Sequence, residues 1–265
     1  MDRSVLNKYN PEEKMILSKI IDKIIFCETR NQIQVTDFFD LAKQELIRKF
    51  LAYQKVSNYI FYGAYTDAER KLVIIYPEKL EDLIKENKVD FSEYISVIRI
   101  NLPEDLHGKY NHQRYLGALI KLGLKREKIG DILVENNGAD IIVSKEIEKF
   151  LLTNLQQLTR FQKSKIEEIN INQIRNVYVE KERYKITVSS MRLDNIIAEL
   201  AHCSRAKAEI LLSDQRVFVN YENIVKATKE IKENDRITIR GKGRFEIKKI
   251  VGNTKKGKFV IEVEK

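Results

Sequence analysis

The chain has 265 residues, 43% hydrophobic and 33% charged, and carries a net charge of +9. That length supports two or three domains, and no apolar run approaches the roughly 20 residues that cross a bilayer. Three histidines, two isolated cysteines and no Gly-rich phosphate loop give no pattern for metal or nucleotide chemistry, so no cofactor and no metal are expected and nothing signals an enzyme. The first residues lack the apolar stretch of a secretory signal, and the expected location is cytoplasmic.

Residues 1–86 read as a small α+β domain. Pro11-Glu12-Glu13 starts a helix with proline in its first turn, and Ile16, Ile20, Ile21 and Ile24 follow at helical spacing. A second helix is expected from Thr36 as its cap, carrying Phe39, Leu41, Leu46, Phe50 and Leu51. Tyr59–Gly63 and Leu72–Tyr76 are rich in β-branched and aromatic residues and read as strands, the second ended by Pro77.

Residues 87–182 read as strand, helix, strand, strand, helix, strand. The elements are Tyr94–Leu102, His112–Leu122, Ile129–Glu135, Asp140–Val143, a helix from Ser144 to Leu158 capped by Ser144, and Lys165–Val179. Asn136-Asn137-Gly138 suits a hairpin turn. The order is that of a ferredoxin-like, RNA-recognition-motif-like domain. Its central strands carry no aromatic platform, so base stacking on the sheet is not expected. Cations around the helix (His112, Arg114, Lys121, Lys125, Arg126 and Lys128) form either a second RNA surface or a solvated helix end.

Residues 183–265 form the third expected domain. From Tyr184 onward there are eighteen Lys or Arg against eleven Asp or Glu, so +7 of the net +9 lies in this last third. A basic surface confined to one module is the footprint of a phosphate-binding protein. Leu193, Ile196, Ile197 and Leu200 share one helical face, Ser204 can cap a second helix over Arg205–Leu212, and Arg236–Arg240 alternates as a half-exposed strand. A capped helix start favours phosphate, and Arg205 and Lys207 sit on its first turn. Arg240, Lys242 and Arg244 follow as a basic ridge.

The motifs Met191-Arg192-Leu193-Asp194, Ser204-Arg205-Ala206-Lys207-Ala208, Arg216-Val217-Phe218-Val219-Asn220, Asn234-Asp235-Arg236-Ile237 and Arg240-Gly241-Lys242-Gly243-Arg244-Phe245 resemble, in order and spacing, the RNA-binding domain named after small-subunit ribosomal protein S-four. The resemblance implies RNA contacts from Arg192, Ser204, Arg205, Lys207, Arg216, Asn220, Arg240, Lys242 and Arg244. The family usually has glycine where Gln215 and Asn234 stand. Asp194 reads as a helix-start acid or salt-bridge partner rather than a catalytic group.

Phe61-Tyr62-Gly63-Ala64-Tyr65-Thr66-Asp67-Ala68-Glu69-Arg70, and His112-Gln113-Arg114-Tyr115-Leu116-Gly117-Ala118-Leu119 with Leu122–Ile132, resemble the bacterial YlmH family over almost the whole chain, although Gln113 stands where that family usually has an acid. The resemblance implies a non-enzymatic protein that binds structured rRNA or tRNA on the large ribosomal subunit, with links to stalled subunits and to cell division. Two alternatives stay open: an RNA-modifying enzyme of the pseudouridine-synthase type, and a septum-associated scaffold.

Overall fold

The computed structural model of the chain describes residues 2–175 and 182–265. These fall into two compact units, Met1–Val177 and Tyr178–Lys265.

In the first unit, α1 (Pro11–Arg30) begins with reciprocal capping: Asn10 accepts the Glu13 amide and the Glu13 carboxylate accepts the Asn10 amide. Its buried face of Ile16, Leu17, Ile20, Ile21 and Ile24 clusters with Ile47, Phe50 and Leu51 of α2 (Leu41–Tyr53). Val73 and Ile75 complete this core from an antiparallel sheet of β1 (Gln34–Val35), β2 (Tyr59–Tyr62) and β3 (Leu72–Ile75), ordered β1-β3-β2.

The second helix does not start at Thr36. Thr36 and Phe39 are occupied in pairing with the β3 edge, where the Thr36 amide donates to the Val73 carbonyl and Thr36 Oγ1 accepts the Val73 amide. The cap is Asp40, which accepts the Lys43 amide at 2.9 Å. A short α3 (Glu81–Lys85), unmarked by any long apolar period, follows Pro77.

The middle segment comprises β4 (Ile95–Asn101), α4 (His112–Lys121), β5 (Ile129–Glu135), β6 (Gly138–Ser144), α5 (Glu148–Asn154) and β7 (Lys165–Ile169). The strands lie in the order β5-β6-β4-β7, every neighbouring pair antiparallel. One face of this sheet packs with Tyr115 and Leu119 of α4 and Leu151 of α5. The opposite face, with Ile95, Val97 and Ile142, is covered by Phe38, Leu72, Ile74, Ile84 and Phe91. All seven residues of β6 are buried in consequence.

Two expected elements are shorter than the sequence suggests. Ser144 ends β6 and makes no capping bond; a single 3-10 turn, Lys145–Ile147, separates it from α5. β7 stops at Ile169, because Asn170 and Gln173 cap a further turn over Ile171–Gln173. Positions 176–179 of the expected strand lie outside the described residues.

The second unit is a six-stranded antiparallel sheet with two helices. Its elements are β8 (Arg183–Val188), α6 (Leu193–Leu200), α7 (Arg205–Ser213), β9 (Val217–Val219), β10 (Glu222–Asn223), β11 (Arg236–Ile239), β12 (Gly243–Asn253) and β13 (Phe259–Glu264), with strand order β10-β9-β11-β12-β13-β8. Leu193, Ile196, Ile197 and Leu200 of α6 and Ala208, Leu211 and Leu212 of α7 share one core with Val217, Val219, Ile237, Ile239, Phe245 and Ile261. The alternation in β11 buries Ile237 and Ile239 and leaves Arg236 half-buried, with Arg240 exposed just beyond the strand.

Candidate nucleic-acid interface

The interface expected in the second unit is built around a buried carboxylate. The Leu193 amide donates to the Lys229 carbonyl and the Asp194 amide to the Ala227 carbonyl, which ties the start of α6 to the 226–230 loop. Asp194 is fully buried. Arg192 Nε and Nη2 donate to its two oxygens at 3.1 and 3.0 Å, and Arg205 Nε donates at 2.7 Å. Burial pushes this carboxyl up, but the hydrogen bonds from Arg192 and Arg205 outweigh it and hold it below the usual carboxylate range.

Ser204 caps α7 by accepting the Lys207 amide at 3.3 Å. The first-turn amides have no intrahelical acceptor and carry the positive end of the helix dipole. Ser204, Arg205 and Lys207 are exposed, and among the described residues no carboxylate pairs with Lys207. Lys226 and Lys229 belong to the loop bonded to the start of α6. No periodicity marked them, because they lie in a loop whose place is set by those two backbone bonds.

The remaining expected residues gather at the other end of α7. The Arg216 amide donates to the Leu211 carbonyl in the last turn, Arg216 Nη2 donates to the Arg240 carbonyl at 3.0 Å, and the Arg240 amide returns a bond to Arg216 at 2.9 Å. The Arg240 guanidinium lies 4.9 Å from the centre of the Phe218 ring. Lys242 is exposed in the turn, and exposed Arg244 stands opposite Thr238. The length of α7, nine residues from Arg205 or about 13 Å of rise, separates the two groups. Eight of the nine candidates therefore form two clusters rather than one.

Asn220 is occupied internally. Its amide donates to Asp235 at 2.7 Å, its side-chain oxygen accepts the Arg236 amide at 2.9 Å, and its φ is +50°. Gln215 and Asn234, the two positions where the family usually has glycine, have φ of +55° and +69°. Both are left-handed, which gives the family's glycine preference its physical reason.

In the first unit the two remote motifs meet on Asp131. Its carboxylate accepts the Tyr65 hydroxyl at 2.8 Å and the amides of Glu69 and Arg70 at 2.7 and 3.0 Å. Arg70 donates to the carbonyls of Ile129, Phe38 and Arg126, and Arg126 to those of Ile129 and Gly130. Gly63 and Gly130 permit this approach. A Cβ at Gly63 would sit 2.4 Å from that of Ala68, and one at Gly130 would sit 2.9 Å from the Phe38 ring. The cations around α4 thus divide. Arg126 turns inward and Lys128 pairs with Asp37 and Glu146, whereas Arg114, Lys121 and Lys125 are exposed. Because the outer face of the middle sheet is covered, it offers no stacking platform.

Among the described residues no helix is long and apolar enough to cross a membrane, and no group of three or more His, Cys, Asp or Glu is placed to hold a metal ion.

A family model described as "Putative RNA-binding domain in YlmH" matches residues 86–173. The chain is also 29% identical, over 261 residues and 98% of both sequences, to the Bacillus subtilis protein named "Ribosome-associated protein quality control protein P2". The chain is thus similar to the YlmH family over that middle segment. A solved structure titled "Cell division protein ylmH from Streptococcus pneumoniae" matches the chain with a TM-score of 0.50 at 20% identity, over 63% of this chain and 97% of that one. The matched family segment is the middle sheet and its helices, upstream of the basic second unit.

Proposed function

We propose that the protein is a non-enzymatic, cytoplasmic RNA-binding factor that docks on structured rRNA or tRNA of the large ribosomal subunit and serves quality control of stalled translation. The observation that carries this reading is the cluster at the start of α7, where exposed Lys207 and Arg205 flank a capped helix end. In this reading the second unit is an S-four-type module, and Arg216, Arg240, Lys242 and Arg244 form a second phosphate-binding edge. The names of the relatives support the ribosomal role and suggest a connection with cell division.

The three-domain division, at about residues 86 and 182, belongs to the same proposal. The strand order of the middle segment supports its ferredoxin-like reading. A pseudouridine-synthase-type reading would need a reactive aspartate in the Arg192-Leu193-Asp194 motif, and the buried, doubly paired Asp194 favours a structural role.

One observation favours a second RNA contact in the middle segment: the family model falls there, and Arg114, Lys121 and Lys125 are exposed on or beside α4. With the sheet face covered, that contact would use phosphates. Co-sedimentation with separated ribosomal subunits, followed by crosslink mapping, tests the proposal. We expect pelleting with the large subunit and crosslinks from residues 192–244. Absence of both rejects it.

A further inference from the structure

We propose that the first unit holds a separate site for the phosphate of a nucleotide, in the cleft between α1, residues 36–40 and the turn at Arg126. The cleft has a volume of about 340 Å³ and is lined by Met15, Lys19, Lys23, Phe39, Arg70 and Arg126 among others. That size lies in the range of small-molecule sites. This site is independent of the RNA surface on the second unit.

The cleft holds more positive charge than its own acids neutralise. Lys23, Arg70 and Arg126 are each half-buried, and among the described residues none of them, nor Lys19, forms an ion pair. The acids of the lining are mostly committed elsewhere. Glu12 pairs with Lys43, Asp37 pairs with Lys128, and Asp40 caps α2; Glu127 is the exposed exception. Arg70 and Arg126 keep part of their donor sets unused after bonding backbone carbonyls, Nη1 on Arg70 and Nε and Nη2 on Arg126.

Taking cations out of water without a countercharge is costly. The costs are visible: burial, with the like charge of Arg70 beside it, brings Arg126 down to about 10, and burial lowers Lys23 and Arg70 as well. Asp40 and Asp131 attract the two guanidiniums without pairing with them. A phosphate matches the planar donor forks of arginine and would supply the missing charge. Met15, 55% exposed, and half-buried Phe39 give an apolar wall for the attached base. A free mononucleotide and the 5′ end of an RNA strand present the same chemistry.

Isothermal titration of the full chain separates the cases, with AMP, a 5′-phosphorylated trinucleotide and adenosine as probes. We expect one phosphate probe or both to bind at a 1:1 ratio, and adenosine to bind about tenfold more weakly or not at all. Saturation by AMP identifies a free nucleotide as sufficient; saturation by the trinucleotide alone identifies a strand end. Lys23→Gln, which removes no hydrogen bond of the fold, and Arg126→Lys should each weaken binding by about fivefold or more. Both should leave binding of a ribosomal RNA fragment by the second unit unchanged, so failure of the RNA proposal would not affect this test. No saturable binding of either phosphate probe at about 1 mM, equal binding of adenosine, or unchanged binding by Lys23→Gln would overturn the proposal.

Discussion

The Asp194 carboxylate holds the Arg205 guanidinium at 2.7 Å, joining the start of α6 to the start of α7. Arg205 is half exposed and Asp194 is not exposed at all, so the same side chain can anchor the helix pair and present charge to a ligand.

The first consequence is a pH-dependent stability. Asp194→Asn should destabilise the second unit by about 1.5–3 kcal/mol at neutral pH, the scale of hydrogen bonds to a charged group. Asp194 has a depressed folded-state pKa. Its contribution is therefore complete above the ordinary aspartate value near 4 and disappears as the pH falls through the lower folded value. Urea melts of parent and variant between neutral and strongly acidic pH should converge only at the acidic end. A gap that persists there would mean the pair does not carry the difference.

For RNA binding, Lys207 is the cleaner probe of the pair. Lys207→Ala should weaken binding of a ribosomal RNA fragment by about 1–2 kcal/mol while the melting curve stays in place. Arg205→Ala should lower both affinity and stability, because it also leaves the buried Asp194 with Arg192 as its one cationic partner. Fluorescence anisotropy with circular dichroism melts distinguishes the two. Parent-like binding by Lys207→Ala would move the RNA surface to Arg216, Arg240, Lys242 and Arg244.

Helix faces and caps were legible in the sequence wherever local chemistry decided them. Pro11 in the first turn of α1, the Ser204 cap and the apolar stripes of α1 and α6 needed no tertiary information. Thr36 misled because a cap-forming residue can instead bond a neighbouring strand, and only the position of β3 decides between the two. The exposed cations were legible as a set, but their separation along α7 was not, since it depends on where the chain re-enters the sheet. Arg126 looked like a helix-end cation and turns inward, because Ile129 and Gly130 present carbonyls to it. Lys226 and Lys229 left no sequence signal, for their position rests on backbone bonds to α6.

Phosphate contacts also fix the salt dependence. If about four to six phosphates are contacted, log affinity should fall linearly with log salt with a slope of roughly −3.5 to −5.5, taking the duplex coefficient. The fragments 178–265 and 1–177, divided between the compact units, can be titrated side by side. The first should bind more tightly and show the steeper slope. A slope near zero would reject phosphate-dominated docking, and tighter binding by 1–177 would place the principal contact on the α4 cations.

Close backbone approach sets a fourth expectation, in the first unit. Gly130→Ala would put a Cβ 2.9 Å from the Phe38 ring and 3.0 Å from Ile142. Phe38 is buried and cannot swing out of contact. The overpacking should cost about 1–3 kcal/mol and be seen as a lower midpoint in denaturant for the 1–177 fragment carrying the substitution.

The left-handed turn at Gln215 gives the last expectation, and one of opposite sign. Gln215 stands just beyond Asp214, the C-cap of α7; its amide donates to the Leu212 carbonyl at 3.0 Å, and its carbonyl accepts from Asn223 at 2.8 Å. Those bonds are made by the backbone and survive any side chain. At φ +55° a side chain with a Cβ is strained by roughly 1–2 kcal/mol. Glycine removes that strain but loses more freedom on folding, by roughly 0.5–1 kcal/mol. Gln215→Gly should therefore stabilise the second unit by about 0.5–1 kcal/mol. Gln215→Val, whose branched Cβ is worse in this region, should destabilise it. Thermal melts of the three proteins should rank glycine above glutamine above valine. If glycine ranks below glutamine, the turn gains more from the exposed Gln215 side chain than it loses to strain, and the usual glycine of the family would need another explanation.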